Sequence, residues 1–247
     1  MCATCGCDAV TLTQAHDHPD HGRTVELQQK VLAHNDQVAT RNRDWLARRG
    51  VFAVNLMSAP GSGKTTLLER TVRELGPELP VQVIEGDQDT VLDAERLRLA
   101  GCRAVQINTG AGCHLDAEMV ARALVELDPL PGSVVVIENV GNLVCPALFD
   151  LGEAARVVLA SVTEGADKPI KYPHMFRHAD LVVVTKHDLL PYVDFEYHRF
   201  SRALKQVSPG TQMLELSAFT GEGMAGFYDW VTRHAAAGRR PLLPGPG

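Results

Sequence analysis

The chain has 247 residues, 45% of them apolar, which suits one domain of ordinary size with or without an appendage. A formal charge of −6 with scattered Lys and Arg excludes a nucleic-acid surface, and no apolar run reaches the 18 residues of a membrane-spanning helix. The first residues lack a basic stretch leading into an apolar one, so no secretory signal is expected and the cytoplasm is the expected compartment, with thiols kept reduced.

Residues 1–23 read as a flexible Cys/His metal-binding arm. MCATCGC carries Cys2, Cys5 and Cys7, half of the six cysteines. A disulfide framework, a redox pair and a metal site compete for it. Reducing conditions weaken the first, and a redox Cys-x-x-Cys belongs at a helix start after a strand. Metal binding leads. His16, His18 and His21 follow in AHDHPDHG, as metal ligands or as part of a solvated arm. Residues 24–50 read as an N-terminal helix, with Val25, Val31, Leu32, Val38, Ala39, Trp45 and Leu46 as its apolar stripe and Gly50 as its stop.

From Val51 to residue 238, β-rich apolar runs alternate with helical stretches. The runs are VFAVNLM, VQVIEG, RAVQIN, SVVVIEN, ARVVLASV, DLVVVTK and QMLELSA, several of them apolar on both faces. Helices are predicted near 64–75, 91–100, 115–127, 194–206 and 224–237. This is the pattern of an α/β P-loop NTPase with a doubly wound, mainly parallel sheet. Residues 239–247 read as a loose tail, and Cys102 as core.

SAPGSGKTTLL sits between the first strand and the first helix of that domain, with Ser58 where the phosphate-loop pattern has its first glycine. Backbone amides of Gly61, Ser62, Gly63, Lys64, Thr65 and Thr66 are placed to wrap phosphates at a helix N-terminus. Lys64 is expected to reach the β and γ phosphates and Thr65 to ligate Mg²⁺. Asp87 and Glu138 end neighbouring strands and complete the Mg²⁺ and catalytic set with Lys64. Asp89 or Asp93 is a candidate to orient the attacking water.

In VVVTKHDLL a buried strand ends in Thr185-Lys186-His187-Asp188, where guanine-specific enzymes carry Asn-Lys-x-Asp. Asp188 is suited to accept from guanine N1 and N2, and the Lys186 stem to cover the ring. Ser217 and Ala218 are placed for the contact to guanine O6, so GTP and GDP are favoured over adenine nucleotides. Cys113 and His114 in NTGAGCHLD, with Cys145 in ENVGNLVCP, lie on loops that a parallel sheet brings to one edge. Two thiolates and an imidazole suit Zn²⁺ or Ni²⁺, with a water or a second subunit completing the shell.

Together these motifs, with EGDQDT and EGADKPIKYPHMF, resemble the HypB family, GTPases that help insert nickel into nickel–iron hydrogenase. The resemblance covers almost the whole chain. It implies a nickel site at Cys2, Cys5 and Cys7, and a second Zn²⁺/Ni²⁺ site at Cys113, His114 and Cys145. It also implies GTP-promoted homodimers, a HypA-type nickel chaperone as partner, and delivery of nickel toward the hydrogenase large subunit. If Met1 is removed, the Cys2 amine and three thiolates make a near-planar donor set that suits Ni²⁺. The resemblance offers Lys168 or Lys171 a reach across the dimer; composition alone reads both as exposed lysines. A urease-type nickel GTPase, a nickel-storage protein with a vestigial GTPase domain and a cobalamin-linked GTPase chaperone are the rivals. The terminal Cys cluster and separate Cys145 count against the first.

Overall fold

The computed structural model describes residues 20–87, 92–110 and 112–238. The arm cysteines Cys2, Cys5 and Cys7, with His16, His18, Asp89 and the 239–247 tail, lie outside the described residues. So does the side chain of His21.

Among the described residues, seven parallel strands form one sheet in the order β3-β2-β4-β1-β5-β6-β7. They are β1 (Phe52–Ser58), β2 (Val81–Asp87), β3 (Arg103–Asn108), β4 (Val134–Glu138), β5 (Ala155–Ser161), β6 (Leu181–Thr185) and β7 (Gln212–Glu215). All seven expected strands are present, and β1 is buried along its whole length, as a central strand covered on both faces must be. The chain runs outward from β1 to the β3 edge, returns to insert β4 beside β1, then proceeds to β5. The loops after β1, β2 and β4 therefore share one edge, the place where open α/β sheets hold ligands.

The predicted helices form as α2 (Lys64–Leu75), α3 (Leu92–Leu99), α4 (Ala117–Leu127), α7 (Tyr197–Val207) and α8 (Met224–Gly238). Helix α2 buries Thr65, Leu67, Leu68, Thr71, Val72 and Leu75, a stripe of helical period that packs on the central strands. Asp116 caps α4 by accepting from Met119 N at 2.7 Å, which starts this helix two residues later than its apolar pattern suggests. Two short helices, α5 (Lys168–Lys171) and α6 (Pro173–Arg177), and single 3₁₀ turns at Cys145–Leu148 and His187–Tyr192 are additions. Pieces this short carry too little periodicity to be read.

Helix α1 (Asp20–Arg48) starts inside the stretch assigned to the arm. Gly50 ends it as expected, at φ +62°. The apolar stripe needs correction. The Val25 side chain lies outside the described residues, Val31 is 51% exposed, and the buried positions among the described side chains of α1 are Asn35, Val38, Ala39, Asn42 and Leu46. The two asparagines dock α1 on the domain. Asn35 donates to Asp150 O (2.8 Å) and accepts from Ala117 N (2.9 Å), while Asn42 donates to Ala117 O (2.8 Å). No described helix is long and apolar enough to cross a membrane.

Candidate functional site

The phosphate loop leaves β1 at Ser58 and enters α2 at Lys64, with Gly61 at φ +74° and Gly63 at φ +94°. Both angles favour glycine, and they let successive amides turn toward one centre. Ser58, in the place of the usual glycine, accepts from Lys64 Nζ at 3.1 Å and donates to Ala59 O at 2.6 Å. It parks the lysine over the loop. Ser62 Oγ lies 2.6 Å from Glu164 Oε1 and 2.8 Å from Ala59 O, so the loop is braced from the end of β5. Thr66 stands on the exposed side of the first turn of α2.

Thr65 Oγ1 donates to Glu138 Oε1 at 2.9 Å, joining two of the expected Mg²⁺ residues. Glu138 is 3% exposed, and burial raises its carboxyl pKa to about 7 against the pull of Lys64 and Thr65. Glu85 is a residue the sequence reading missed. It is register partner to Glu138, 2% exposed, and raised to about 8 by burial and then by the charges of Glu138 and Asp87. Strand residues two apart share a face, so Glu85 stands on the side of Asp87. That period was the available signal. Glu85 Oε2 and Glu138 Oε2 are buried without a hydrogen-bond partner. Buried carboxylate oxygens left this way fit a hydrated divalent cation held between Thr65, Asp87 and Glu138. Of the two aspartates considered for orienting water, Asp93 accepts from Arg96 Nη1 at 3.1 Å, and Arg96 also reaches Glu69 at 2.8 Å.

At the other end of the loop, β6 stops because Lys186 turns to φ +58°. That conformation sends Lys186 Nζ to Gly61 O at 2.8 Å. Thr185, standing for the usual asparagine, donates to Ser62 O at 2.7 Å. The replacement thus keeps a tie to the phosphate loop. Ser217 is fully buried and accepts from Thr220 N at 3.1 Å. Arg70 of α2 holds the carbonyls of Ala218 and Phe219, each at 3.1 Å. Asp188 follows in a half-exposed turn beside them.

Cys113, His114 and Cys145 converge as expected, with ligand atoms all within 4.8 Å of one another. Cys145 is buried at the start of its 3₁₀ turn, and the His114 ring stacks on Phe149 with centroids 4.0 Å apart. Burial lowers the His114 pKa, which favours the neutral imidazole a metal requires. Three donors of this kind at this spacing fit Zn²⁺ or Ni²⁺ with one position left open.

Residues 52–215 match the family model described as "CobW/HypB/UreG, nucleotide-binding domain". A hydrogenase maturation factor HypB from Rhizobium leguminosarum bv. viciae is 55% identical over 214 residues, 87% of this chain and 72% of the relative. The chain belongs to the HypB family. The HypB of Escherichia coli strain K12 is 48% identical over 87% of this chain and 74% of its own. Two HypB crystal structures align over most of the chain. That of Archaeoglobus fulgidus gives a TM-score of 0.77 at 41% identity, over 83% of this chain and all of its own. That of Helicobacter pylori, solved in complex with nickel, gives 0.78 at 34% identity, over 85% and 99%. The chain is accordingly a hydrogenase maturation factor of P-loop GTPase type.

Against the HypB motifs, one expectation changes. Lys171 is exposed and pairs with Asp167 at 2.9 Å. Lys168 is not an exposed lysine; its side chain is 21% exposed, pairs with Glu164 Oε2 at 3.2 Å and lies over the Tyr172 ring. Glu164 thereby bridges Lys168 to Ser62 of the phosphate loop, a role no spacing pattern announces.

Proposed function

We propose that this chain is a GTP-hydrolysing nickel metallochaperone that delivers Ni²⁺ during maturation of nickel–iron hydrogenase, with nucleotide-dependent dimerisation coupled to metal transfer. The observation that carries the coupling is the shared edge. Cys145 lies seven residues past Glu138 on the same loop, and Cys113–His114 follows the strand paired with Asp87. Exposed Val144 (50%) and Leu148 (53%) flank Cys145, an apolar rim suited to a second copy.

Hydrolysis transfers the γ-phosphoryl group of GTP to water, and the electron pair of the broken bond stays on the β-phosphate of GDP. The amides of residues 61–66 hold the phosphates, and Lys64 leaves Ser58 to offset charge on the β and γ groups. Thr65, Asp87 and Glu138 would hold Mg²⁺, directly or through water, and the ion would supply positive charge against that developing on the phosphates. Lys186 and Asp188 select guanine, and Ser217–Ala218 closes on its carbonyl edge. Cys2, Cys5 and Cys7 form the carrier nickel site, and a HypA-type chaperone receives the ion on its way to the hydrogenase large subunit in the cytoplasm.

The test titrates Ni²⁺ into the reduced chain with GDP and with a non-hydrolysable GTP analogue, intact and with Cys2→Ala/Cys5→Ala/Cys7→Ala. A tight thiolate–nickel site is expected to vanish in the triple variant. A second, weaker site is expected to remain, with affinity that differs between nucleotides. Equal binding by both chains removes the carrier role, and equal affinity in both nucleotide states removes the coupling.

A further inference from the structure

The pleat of β2 and β4 divides their ends between two sites. Glu85, Asp87 and Glu138 belong to the side of α2 and the phosphates, where Thr65 meets Glu138. Ile84 and Ile137 belong to the opposite side, in the cluster that contains fully buried Leu115. Gly86 and Asn139 continue that opposite side by the period of two.

Leu115 is the residue after His114, and both strand ends grip it. Its amide donates to Asn139 Oδ1 at 3.3 Å. A Cβ built on Gly86 would fall 2.8–2.9 Å from the Leu115 side chain, so strand β2 has no slack against this loop. Asn139 is 1% exposed, and its Nδ2 donates to Asn55 Oδ1 of central strand β1 at 3.3 Å. Its Oδ1 also takes the Val140 amide at 3.0 Å, ahead of the Cys145 loop. The other flank of the metal loop is held too. Thr109 donates its amide (2.9 Å) and hydroxyl (3.3 Å) to Asp87 O, and the hydroxyl lies 3.0 Å from Gly112 O, next to Cys113.

We propose that Asn139, with the Gly86–Leu115 contact, is the linkage that carries nucleotide state from the ends of β2 and β4 to the Cys113–His114 loop and so sets nickel affinity at the domain site. Asn139 is a positioning residue that touches neither nickel nor nucleotide. A shift of Glu138 or Asp87 when the phosphates change moves the neighbouring residue on the opposite face, and a close-packed Leu115 transmits that shift to His114. The inference rests on the nucleotide-coupled reading above, and names the parts that perform it.

The test uses the full chain carrying Cys2→Ala/Cys5→Ala/Cys7→Ala, so that the domain site alone reports. Ni²⁺ affinity is measured with GDP and with the GTP analogue, and the ratio is the readout. Nickel is expected to bind the Asn139→Ala chain in both states with the ratio reduced toward one. Gly86→Ala wedges against Leu115, and is expected to shift affinity the same way in both states while also shrinking the ratio. If Asn139→Ala fails to fold, Gly86→Ala decides. A ratio that differs from one in the parent, in either direction, and survives the substitutions overturns the linkage. A ratio of one in the parent itself overturns the coupled reading, and the linkage with it.

Discussion

The two ends of this site, one proposed to read the base and the other to hold the cation, are built on opposite terms. At the base end the residues that frame Asp188 have protein partners: Thr185 on Ser62 O, Lys186 on Gly61 O, Arg70 on the Ala218 and Phe219 carbonyls, and His187 Nε2 3.0 Å from Glu215. At the cation end Glu85 and Glu138 each bury a carboxylate oxygen with no partner. The first is organised before nucleotide arrives, and the second is completed by what binds. A reader that must reject the wrong base gains from rigidity. A site that must report phosphate state gains from being unstable without it.

The largest effect that tests this contrast is at Asp188. Two hydrogen bonds to a charged acceptor, at about 1.5–3 kcal/mol each, place Asp188→Ala roughly 10²–10⁴-fold down in GTP affinity. The loss is expected with no change in the thermal midpoint of the nucleotide-free chain, because the base end is held by other residues. A midpoint that falls in parallel would show that Asp188 also organises the turn, and the contrast would fail there.

The next effect belongs to the cation end and has a definite sign. Glu85 and Glu138 titrate near 8 and 7 in the folded chain, above an ordinary carboxylate. Between about pH 5 and pH 8 the folded state therefore holds protons that the unfolded state has released. Stability of the metal- and nucleotide-free chain must fall as pH rises through that window, on the order of a few kcal/mol. Glu85→Gln keeps the shape and removes one buried charge. It is expected to raise the thermal midpoint at pH 8, flatten the pH profile and weaken Mg²⁺ affinity measured by titration with GDP present. An unchanged profile would mean that Glu85 carries no strain and the cation end is as settled as the base end.

The same contrast separates what the sequence made legible from what it did not. Strands, the phosphate loop and the Cys113–His114–Cys145 cluster follow from apolar runs, glycine spacing and ligand types, which are properties of short stretches. Glu85 was readable by counting back two from Asp87, yet a carboxylate in a buried strand has no motif to mark it. Asn35 and Asn42 are buried yet absent from the sequence-read stripe, because a buried polar side chain looks like a solvated one until its partners on α4 and the Asp150–Leu151 turn are known. Glu164 is invisible for the same reason: its partners Ser62 and Lys168 are brought to it by the sheet.

Thr185 offers the smallest and sharpest test, because it departs from the asparagine usual in guanine-specific enzymes yet stays tied to the phosphate loop. Its hydroxyl donates to the carbonyl of Ser62, a residue with no exposed surface. Thr185→Val keeps the shape and leaves that acceptor unpaired, which costs about 1–2 kcal/mol. If the tie pre-organises the loop, the cost falls on the nucleotide-ready conformation and GTP affinity drops roughly 5–30-fold. Thr185→Ser retains the hydroxyl and is expected to bind as the parent does. Were the cost to fall on folding instead, the valine chain would melt earlier and bind GTP normally. The Thr185–Ser62 bond would then be a brace of the domain, and the rigidity of the base end would have to come from Lys186 and Arg70 alone.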